Sequence, residues 1–462
     1  MKNKINDQLL IIIISMGVFS GVMSTSMITI AFPDIVKEFN VTFGELQWRN
    51  ILFFSIFAVG LPFFGKLSDR LEARKQFLFG LCLFSISSLL SGLINSWYCF
   101  LFFQSLQALA DAMILPVIIS LIRKLFSENK IGWAFGWFST VLSVATLTGP
   151  ALGGLIIDYT SWNGIFICLC AISLLNAILA FLYLPNVSPS NVIIKVGFLS
   201  AFCLLGAIVS MQIIFMSQTL TTKIFSLVFS LGFLALFLYG ERRKNGDLSL
   251  LPKGIFKNKI FINASIRVFC LFLVVNSIVL FVPSYMQEIH NITPVIVGGI
   301  LLGQALMTFL FARYSGKVAD KKPRTILSLG ILTSISGSMF LLFSTSISSV
   351  IYYSVTFILI GLGGTFTMPS QNKIALLSVP SDQTGNYMGV FQMIQFITGA
   401  FAAGFFGSII QNQKGNISIE GFQFVMIVNL IFLLLALASV VFDWRILNSR
   451  KKVDAQLNET EI

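Results

Sequence analysis

Three polar residues interrupt an otherwise apolar stretch of this 462-residue chain. Gln104, Gln107 and Asp111 are spaced i, i+3 and i+7, so they share one face of a helix and span about 10 Å. An ionised Asp at the centre of a bilayer costs about 2.5–3.5 kcal/mol, which makes it a functional candidate. We predict that Asp111 carries protons and that the polar face meets a water-filled cavity or another helix. The alternative is a neutral Asp111 that is hydrogen-bonded in helix packing.

Membrane-spanning helices must position these groups. The chain is 56% hydrophobic and 11% charged, whereas soluble globular proteins carry about 25% charged residues. Its apolar runs have the length that a helix needs to cross a bilayer, and hydrocarbon offers no hydrogen-bond partners to an open backbone. We predict an all-α integral membrane protein with 14 transmembrane helices.

Two arginines lie near the ends of predicted spans. The second span is predicted at 48–64, which places Arg49 at its outer mouth, where we expect an interface anchor. The ninth span is predicted at 260–282. Arg267 lies about two turns into it, and we expect its side chain to snorkel to the cytoplasmic surface.

The positive charge of the chain is concentrated on one side of the membrane. Of the 31 Lys and Arg residues, 26 fall on the side of the two termini, 4 on the opposite side and 1 within a span. This positive-inside bias predicts a multi-pass protein of the cytoplasmic membrane with both termini in the cytoplasm. The net charge of +12 therefore does not indicate a nucleic-acid partner, because no basic stripe with interleaved aromatic residues is present.

The chain also repeats itself at a nearly constant distance. Residues 65–70 (GKLSDR) recur at 316–321 (GKVADK), an offset of 251, and Leu115-Pro116 recurs as Met368-Pro369, an offset of 253. Such offsets indicate two homologous halves. We predict an N-terminal six-helix bundle (1–193), an inserted helix pair (194–245), a C-terminal six-helix bundle (246–444) and a cytoplasmic tail (445–462).

With these repeated loops and a Gly-Pro-x-x-Gly-Gly segment in the fifth span, the chain resembles the major facilitator superfamily, specifically its fourteen-helix drug:proton antiporter branch. The resemblance implies that the two loops form a cytoplasmic latch between the halves. It implies that the glycine-proline segment is the antiporter kink, a seal and pivot found mainly in exporters. The latch residues are Gly65, Asp69, Arg70, Gly316 and Asp320, and the kink residues are Gly149, Pro150, Gly153 and Gly154.

The chain departs from this family in two spans. The family pattern has Arg where Gln104 stands and often has Asp where Ser24 stands. That Arg is usually given a part in proton coupling, so its loss puts the usual mechanism in question. Asp111 is the residue that we expect to replace it.

The remaining polar groups within spans suit a substrate cavity. The candidates that we expect to line it are Asn276, Gln304, Gln392, Gln395 and Met113. Phe and Met are abundant, with 47 and 14 residues, and aromatic and soft side chains suit bulky amphipathic compounds.

We predict a proton-coupled exporter of drugs or amphipathic small molecules. The alternatives are a dedicated exporter of one metabolite or peptide, and a transport-inactive receptor or scaffold. The chain has no phosphate-binding loop, catalytic constellation or metal-ligand cluster, so we do not expect an enzyme. We expect protons as the coupling ion, no other cofactor, the lipid bilayer and small amphipathic substrates as partners, no nucleic acid, and a monomer.

Overall fold

The structure is a computed structural model. It describes residues 7–70, 72–186, 197–217, 219–243, 251, 255–344, 349–379, 384–411 and 417–460. These residues include 14 helices that are long and apolar enough to cross a membrane. Within the same ranges there are no strands, only an isolated bridge between Gln411 and Ile417. The all-α membrane fold predicted from the sequence is confirmed.

The first half of the chain contains six spanning helices and one short helix. The first membrane helix ends at Ile28. The short helix α2 (Phe32–Phe39) begins with a proline in its first turn and is followed by Asn40, which has the left-handed conformation that stops helices (φ 50°). The helices are α1 (Asp7–Ile28), α2 (Phe32–Phe39), α3 (Phe43–Arg70), α4 (Ala73–Leu93), α5 (Trp97–Leu125), α6 (Glu128–Tyr159) and α7 (Trp162–Tyr183).

Two further spans follow, α8 (Phe198–Met216) and α9 (Leu220–Arg243). They pack against each other, and α8 also packs against α3. Gln212 of α8 is fully buried.

The second half again provides six spans. Its helices α11 (Pro294–Lys321) and α12 (Pro323–Phe343) each begin with a proline in the first turn, where the missing N–H is not needed. A π-helical segment, Ala402–Phe406, interrupts the span that α14 (Thr384–Phe401) and α15 (Gly407–Ile410) form together, and Gly404 of this segment packs against Gln212. The helices are α10 (Lys259–Glu288), α11 (Pro294–Lys321), α12 (Pro323–Phe343), α13 (Val350–Leu377), α14 (Thr384–Phe401), α15 (Gly407–Ile410) and α16 (Ile419–Thr460).

The spanning helices form two groups that meet along two seams. Helices α1 and α3–α7 pack on one another, as do α10–α16, and the seams are α6 against α11 and α3 against α14. Predicted domain boundaries at 193 and 245 lie outside the described residues, and α16 continues as a helix beyond the predicted boundary at 444. We call the face where α1 begins the terminal face, and the face where α1 ends the far face.

Candidate functional site

A central cavity of about 540 Å³ lies between the two groups of helices. Seven helices contribute to its wall: α1, α3, α5, α6, α10, α11 and α14. Two of its described lining residues, Arg49 and Asp111, are charged. The wall also carries five phenylalanines, namely Phe53, Phe54, Phe57, Phe138 and Phe396. Its size is that of a small-molecule site, and its mixture of apolar surface with few polar groups is typical of one.

Asp111 lies midway along α5 and faces this cavity. Its side chain is 7% exposed, and it has no hydrogen-bond partner among the described residues. Gly21 of α1 makes room for it, because a Cβ added at Gly21 would lie 2.5 Å from Asp111 Oδ1. The charges of Asp111 and Arg49 interact, although no Arg49 nitrogen lies within 4 Å of an Asp111 oxygen.

Gln104 and Gln107 lie on the same helix but point to a neighbouring helix instead. Gln104 Nε2 donates to Ser91 Oγ at 3.0 Å, and Gln107 Nε2 donates to Ser88 Oγ at 2.7 Å. Both glutamines are fully buried. The predicted polar face therefore divides: Asp111 faces the cavity, Gln107 lies in the contact between α4 and α5, and Gln104 bonds both to α4 and to Arg49 of α3.

Arg49 is a cavity residue, and its prediction as an interface anchor is wrong. Helix α3 begins at Phe43, five residues before the predicted start, so Arg49 lies well inside the helix and is only 2% exposed. Its Nε donates to Gln104 Oε1 at 2.7 Å and its Nη1 to Asn50 Oδ1 at 3.1 Å. Its Cζ lies 4.6 Å from the centre of the Phe53 ring, within cation–π range.

Arg267 does not snorkel, which corrects a second expectation. It is fully buried and its Nη1 lies 2.7 Å from Asp443 Oδ2. Its Nε donates to Gln371 Oε1 at 2.6 Å. The ion pair joins α10 to α16, the hydrogen bond to Gln371 adds α13, and neither involves a lining residue of the cavity.

The four residues of the second half that were predicted to line the substrate cavity do lie in its wall. Asn276, Gln304, Gln392 and Gln395 all line it. Asn276 Nδ2 donates to Phe272 O at 2.8 Å and to Thr398 Oγ1 at 3.2 Å, so it is held in place. Whether these amides bind a substrate stays a prediction.

Met113, predicted to line the cavity, is not among its lining residues. It follows Asp111 by two residues, which turns it about 200° around the helix. It packs instead in an apolar cluster with Leu61 and Phe64.

The predicted kink lies where the halves meet near the far face. Gly149 and Gly153 pack against α1, at Ser26 and Met27. A Cβ at Gly154 would lie 2.5 Å from Pro294 O of α11.

On α11, the residue that faces the glycine-proline segment of α6 is also a glycine. Gly298 faces the backbone of Pro150 so closely that a Cβ there would lie 3.1 Å from the Pro150 carbonyl carbon. Small residues thus let α6 and α11 touch by their backbones beside the far end of the cavity, which Pro150 and Thr29 line.

Three glycines near the terminal face make no such contact. Among the described residues, no atom lies within 4 Å of a Cβ added at Gly136 of α6, Gly316 of α11 or Gly389 of α14. Gly65 lies beside Pro116, with 3.6 Å between an added Cβ and Pro116 Cβ. The side chains of the predicted latch residues Asp69, Arg70 and Asp320 lie outside the described part of the structure, so the latch stays a prediction.

Two packed groups of membrane-spanning helices with a cavity between them, among the 14 spans of the described residues, are the architecture of a multi-pass membrane transporter. The sequence matches the family model of the Major Facilitator Superfamily over residues 14–403. The chain belongs to this superfamily.

Relatives with different cargoes cover most of the chain. It is 25% identical over 420 residues to the riboflavin transporter RibZ of Clostridioides difficile (strain 630), covering 88% of this chain and 90% of that protein. It is 24% identical over 420 residues to the tetracenomycin C resistance and export protein of Streptomyces glaucescens, covering 87% and 76%. A POT family transporter solved with 5-aminolevulinic acid superposes with a TM-score of 0.71 at 16% identity, covering 93% and 95%, which shows a shared fold.

Proposed function

We propose that this transporter exports amphipathic small molecules in exchange for protons, as in the fourteen-helix drug:proton antiporter branch. The observation that carries the proposal is Asp111, a carboxyl group at the wall of the central cavity without a hydrogen-bond partner in the described part of the chain. A proton and a substrate can both reach such a group from one cavity. The relative from Streptomyces glaucescens, a resistance and export protein, supports the direction of transport.

The orientation follows from the charge bias of the loops. We place both termini in the cytoplasm of a cell bounded by the cytoplasmic membrane. We propose that the tight contact of α6 with α11 then closes the cavity towards the outside, and that the terminal face is the cytoplasmic one. Alternating access requires this contact to open and the terminal face to close. The protein works in this scheme as a monomer in the bilayer, with protons as its coupling ion.

Replacing Asp111 tests the proton-coupling role. In inside-out vesicles, ethidium and a panel of other lipophilic dyes serve as probes, and a pH gradient drives their transport. We expect Asp111→Asn to abolish the acceleration of transport by the pH gradient. Asp158→Asn, which removes an exposed carboxyl at the far end of α6, is the matched control and should behave as wild type. Unchanged pH-gradient dependence in Asp111→Asn would exclude Asp111 as the proton carrier.

A dedicated transporter of one metabolite is the second candidate. The riboflavin transporter RibZ, similar over 88% of this chain, favours it, and so does the loss of the usual charged residues at Ser24 and Gln104. Susceptibility of a deletion strain to a broad drug panel separates the two functions. Hypersensitivity to several unrelated drugs supports multidrug export, and unchanged sensitivity to the whole panel supports a single metabolite.

A further inference from the structure

Arg49 has one donor nitrogen, Nη2, that the described structure leaves without a hydrogen bond. Its Nε and Nη1 donate to Gln104 and Asn50, whereas Nη2 is buried without a partner. Buried donors are rarely left unpaired, because they lose their water without gaining a hydrogen bond. Arg49 lines the cavity, so a molecule inside it can supply the missing acceptor if the guanidinium turns to bring the buried Nη2 towards it.

Asp111, the acidic residue of the cavity wall, lacks a hydrogen-bond donor in the described structure. The carboxylate of Asp111 can accept hydrogen bonds, and none reaches it from the described residues. Its oxygens and the Arg49 nitrogens are more than 4 Å apart, so the two charges attract without forming an ion pair. The other fully buried arginine, Arg267, is instead directly paired with Asp443 at 2.7 Å. The cavity thus presents a donor and an acceptor with a gap between them.

We propose that Arg49 and Asp111 form a subsite for a neutral, planar ligand that carries a hydrogen-bond acceptor beside a donor, such as the imide edge of a fused aromatic ring. Its acceptor binds Arg49 Nη2 and its donor binds the Asp111 carboxylate. This inference rests on the proposed function and adds the chemical class of the substrate.

The residues around Arg49 and Asp111 favour binding of a neutral planar ligand over binding of a simple ion. A lone cation that reaches Asp111 meets the charge of Arg49, and a lone anion at Arg49 meets that of Asp111. A neutral edge with both groups satisfies the two residues together, and the rings of Phe53, Phe54 and Phe57 supply an apolar wall for its aromatic part. The cavity of about 540 Å³ is large enough for a molecule of this kind.

The same geometry links the ligand to the proton. A donor that binds the carboxylate of Asp111 competes with a proton for the same oxygens. Each therefore weakens the binding of the other, by the same factor in both directions. Such opposition is what an exchange of substrate for protons requires.

Two matched probes test the subsite. 1,8-Naphthalimide has an N–H between two carbonyl groups, and N-methyl-1,8-naphthalimide keeps the carbonyls but lacks the donor. We would measure binding of both, and of ethidium, to purified protein in nanodiscs at pH 5.5 and 7.5. We expect wild type to bind the N–H imide at least about tenfold more tightly than the N-methyl imide at pH 7.5, with a smaller difference at pH 5.5.

Two variants test whether Arg49 and Asp111 cause the preference for the N–H imide. Arg49→Gln should weaken both imides about tenfold or more, in protein whose thermal unfolding shows that it is folded. Gly21→Ala keeps every charge but displaces the Asp111 carboxylate, and it should reduce the preference for the N–H imide. Gly136→Ala, a helix glycine with open space around its Cβ, is the control and should match wild type.

The subsite is overturned if wild type binds the two imides equally or binds ethidium more tightly than either. It is also overturned if folded Gly21→Ala keeps the full preference. These results would leave the proposed export intact, since proton-coupled transport is tested separately by Asp111→Asn in vesicles. If Asp111→Asn leaves the pH-gradient dependence of transport unchanged while wild type still prefers the N–H imide, the proposed function is overturned and the binding site is kept.

Discussion

Gly298 is the residue at which α11 approaches the backbone of α6 most tightly. A Cβ added there meets the Pro150 carbonyl group, at 3.1 Å from its carbon and closer still to its oxygen, and lies 3.3 Å from Ala151 Cα. The next residue, Gly299, has no atom within 4 Å of an added Cβ. Gly298→Ala and Gly299→Ala therefore make the same chemical change on one helix, with and without a clash.

The clash should shift the balance between the two states of the transporter. Overpacking a well-packed contact costs about 1–3 kcal/mol, and this cost applies only while α6 and α11 touch. The gain from replacing Gly by Ala in a helix, about 0.5–1 kcal/mol, is present in both states and cancels. A net bias of this size changes the ratio of the two states by about 5–150-fold in favour of the state that is open at the far face.

Alkylation of an introduced cysteine measures this shift. Thr29 lines the cavity near the far face and is 3% exposed. In a background without the six native cysteines, Thr29→Cys reports access from outside to a membrane-impermeant maleimide. Gly298→Ala should accelerate labelling about 5–150-fold, while Gly299→Ala leaves it unchanged. Equal labelling rates in the two alanine variants would refute the assignment of the α6–α11 contact as the outer seal.

Two further predictions concern ionisable groups outside the cavity. Arg267→Met should lower the free energy of unfolding in detergent by about 3–5 kcal/mol, because it leaves Asp443 buried without its cation. The double variant Arg267→Met/Asp443→Leu should recover most of this loss, and an equal loss in both would argue against the ion pair as the cause. Burial lowers the pKa of His290 below its ordinary value of 6.5, against a hydrogen bond with the Ser344 backbone that raises it, so the folded protein disfavours the charged imidazole. Stability should therefore fall as the pH drops below about 6.5. His290→Phe should show a smaller fall in melting temperature between pH 7.5 and 5.5, and an identical fall would exclude His290 as a source of acid sensitivity.

The fold was predictable because the bilayer imposes a length and a polarity on every span. The sequence could not supply the ends of helices whose first turns are polar. Helix α3 begins at Phe43, yet Gln47 and Asn50 near its start are fully buried and pair with each other at 2.9 Å. Hydropathy counts such residues as loop, whereas in the structure their hydrogen bonds are satisfied inside the protein.

The cavity site was predictable only in part for the same reason. Asp111 stood out because an acid in the middle of a span is costly. Arg49 was misplaced by the error in the start of α3, although a signal was present: the family arginine is missing at Gln104, and a compensating cation could be sought elsewhere. The partner of Arg267 is 176 residues away along the chain, and no local pattern indicates such a pairing.

The two halves contribute different kinds of polar residue to the cavity wall. The repeat offset of 253 places Gly364 where the second half would carry the counterpart of Asp111, and no atom lies within 4 Å of a Cβ added there. Among the described lining residues, the charged ones, Arg49 and Asp111, belong to the first half. The second half contributes neutral amides such as Asn276 and Gln304. A proton that binds Asp111 therefore changes the charge of one wall only. In the proposed exchange, where the halves separate and meet again, we expect this asymmetry to let protonation alter how strongly the first half holds a ligand, while amides of the second half would hold it equally at either pH.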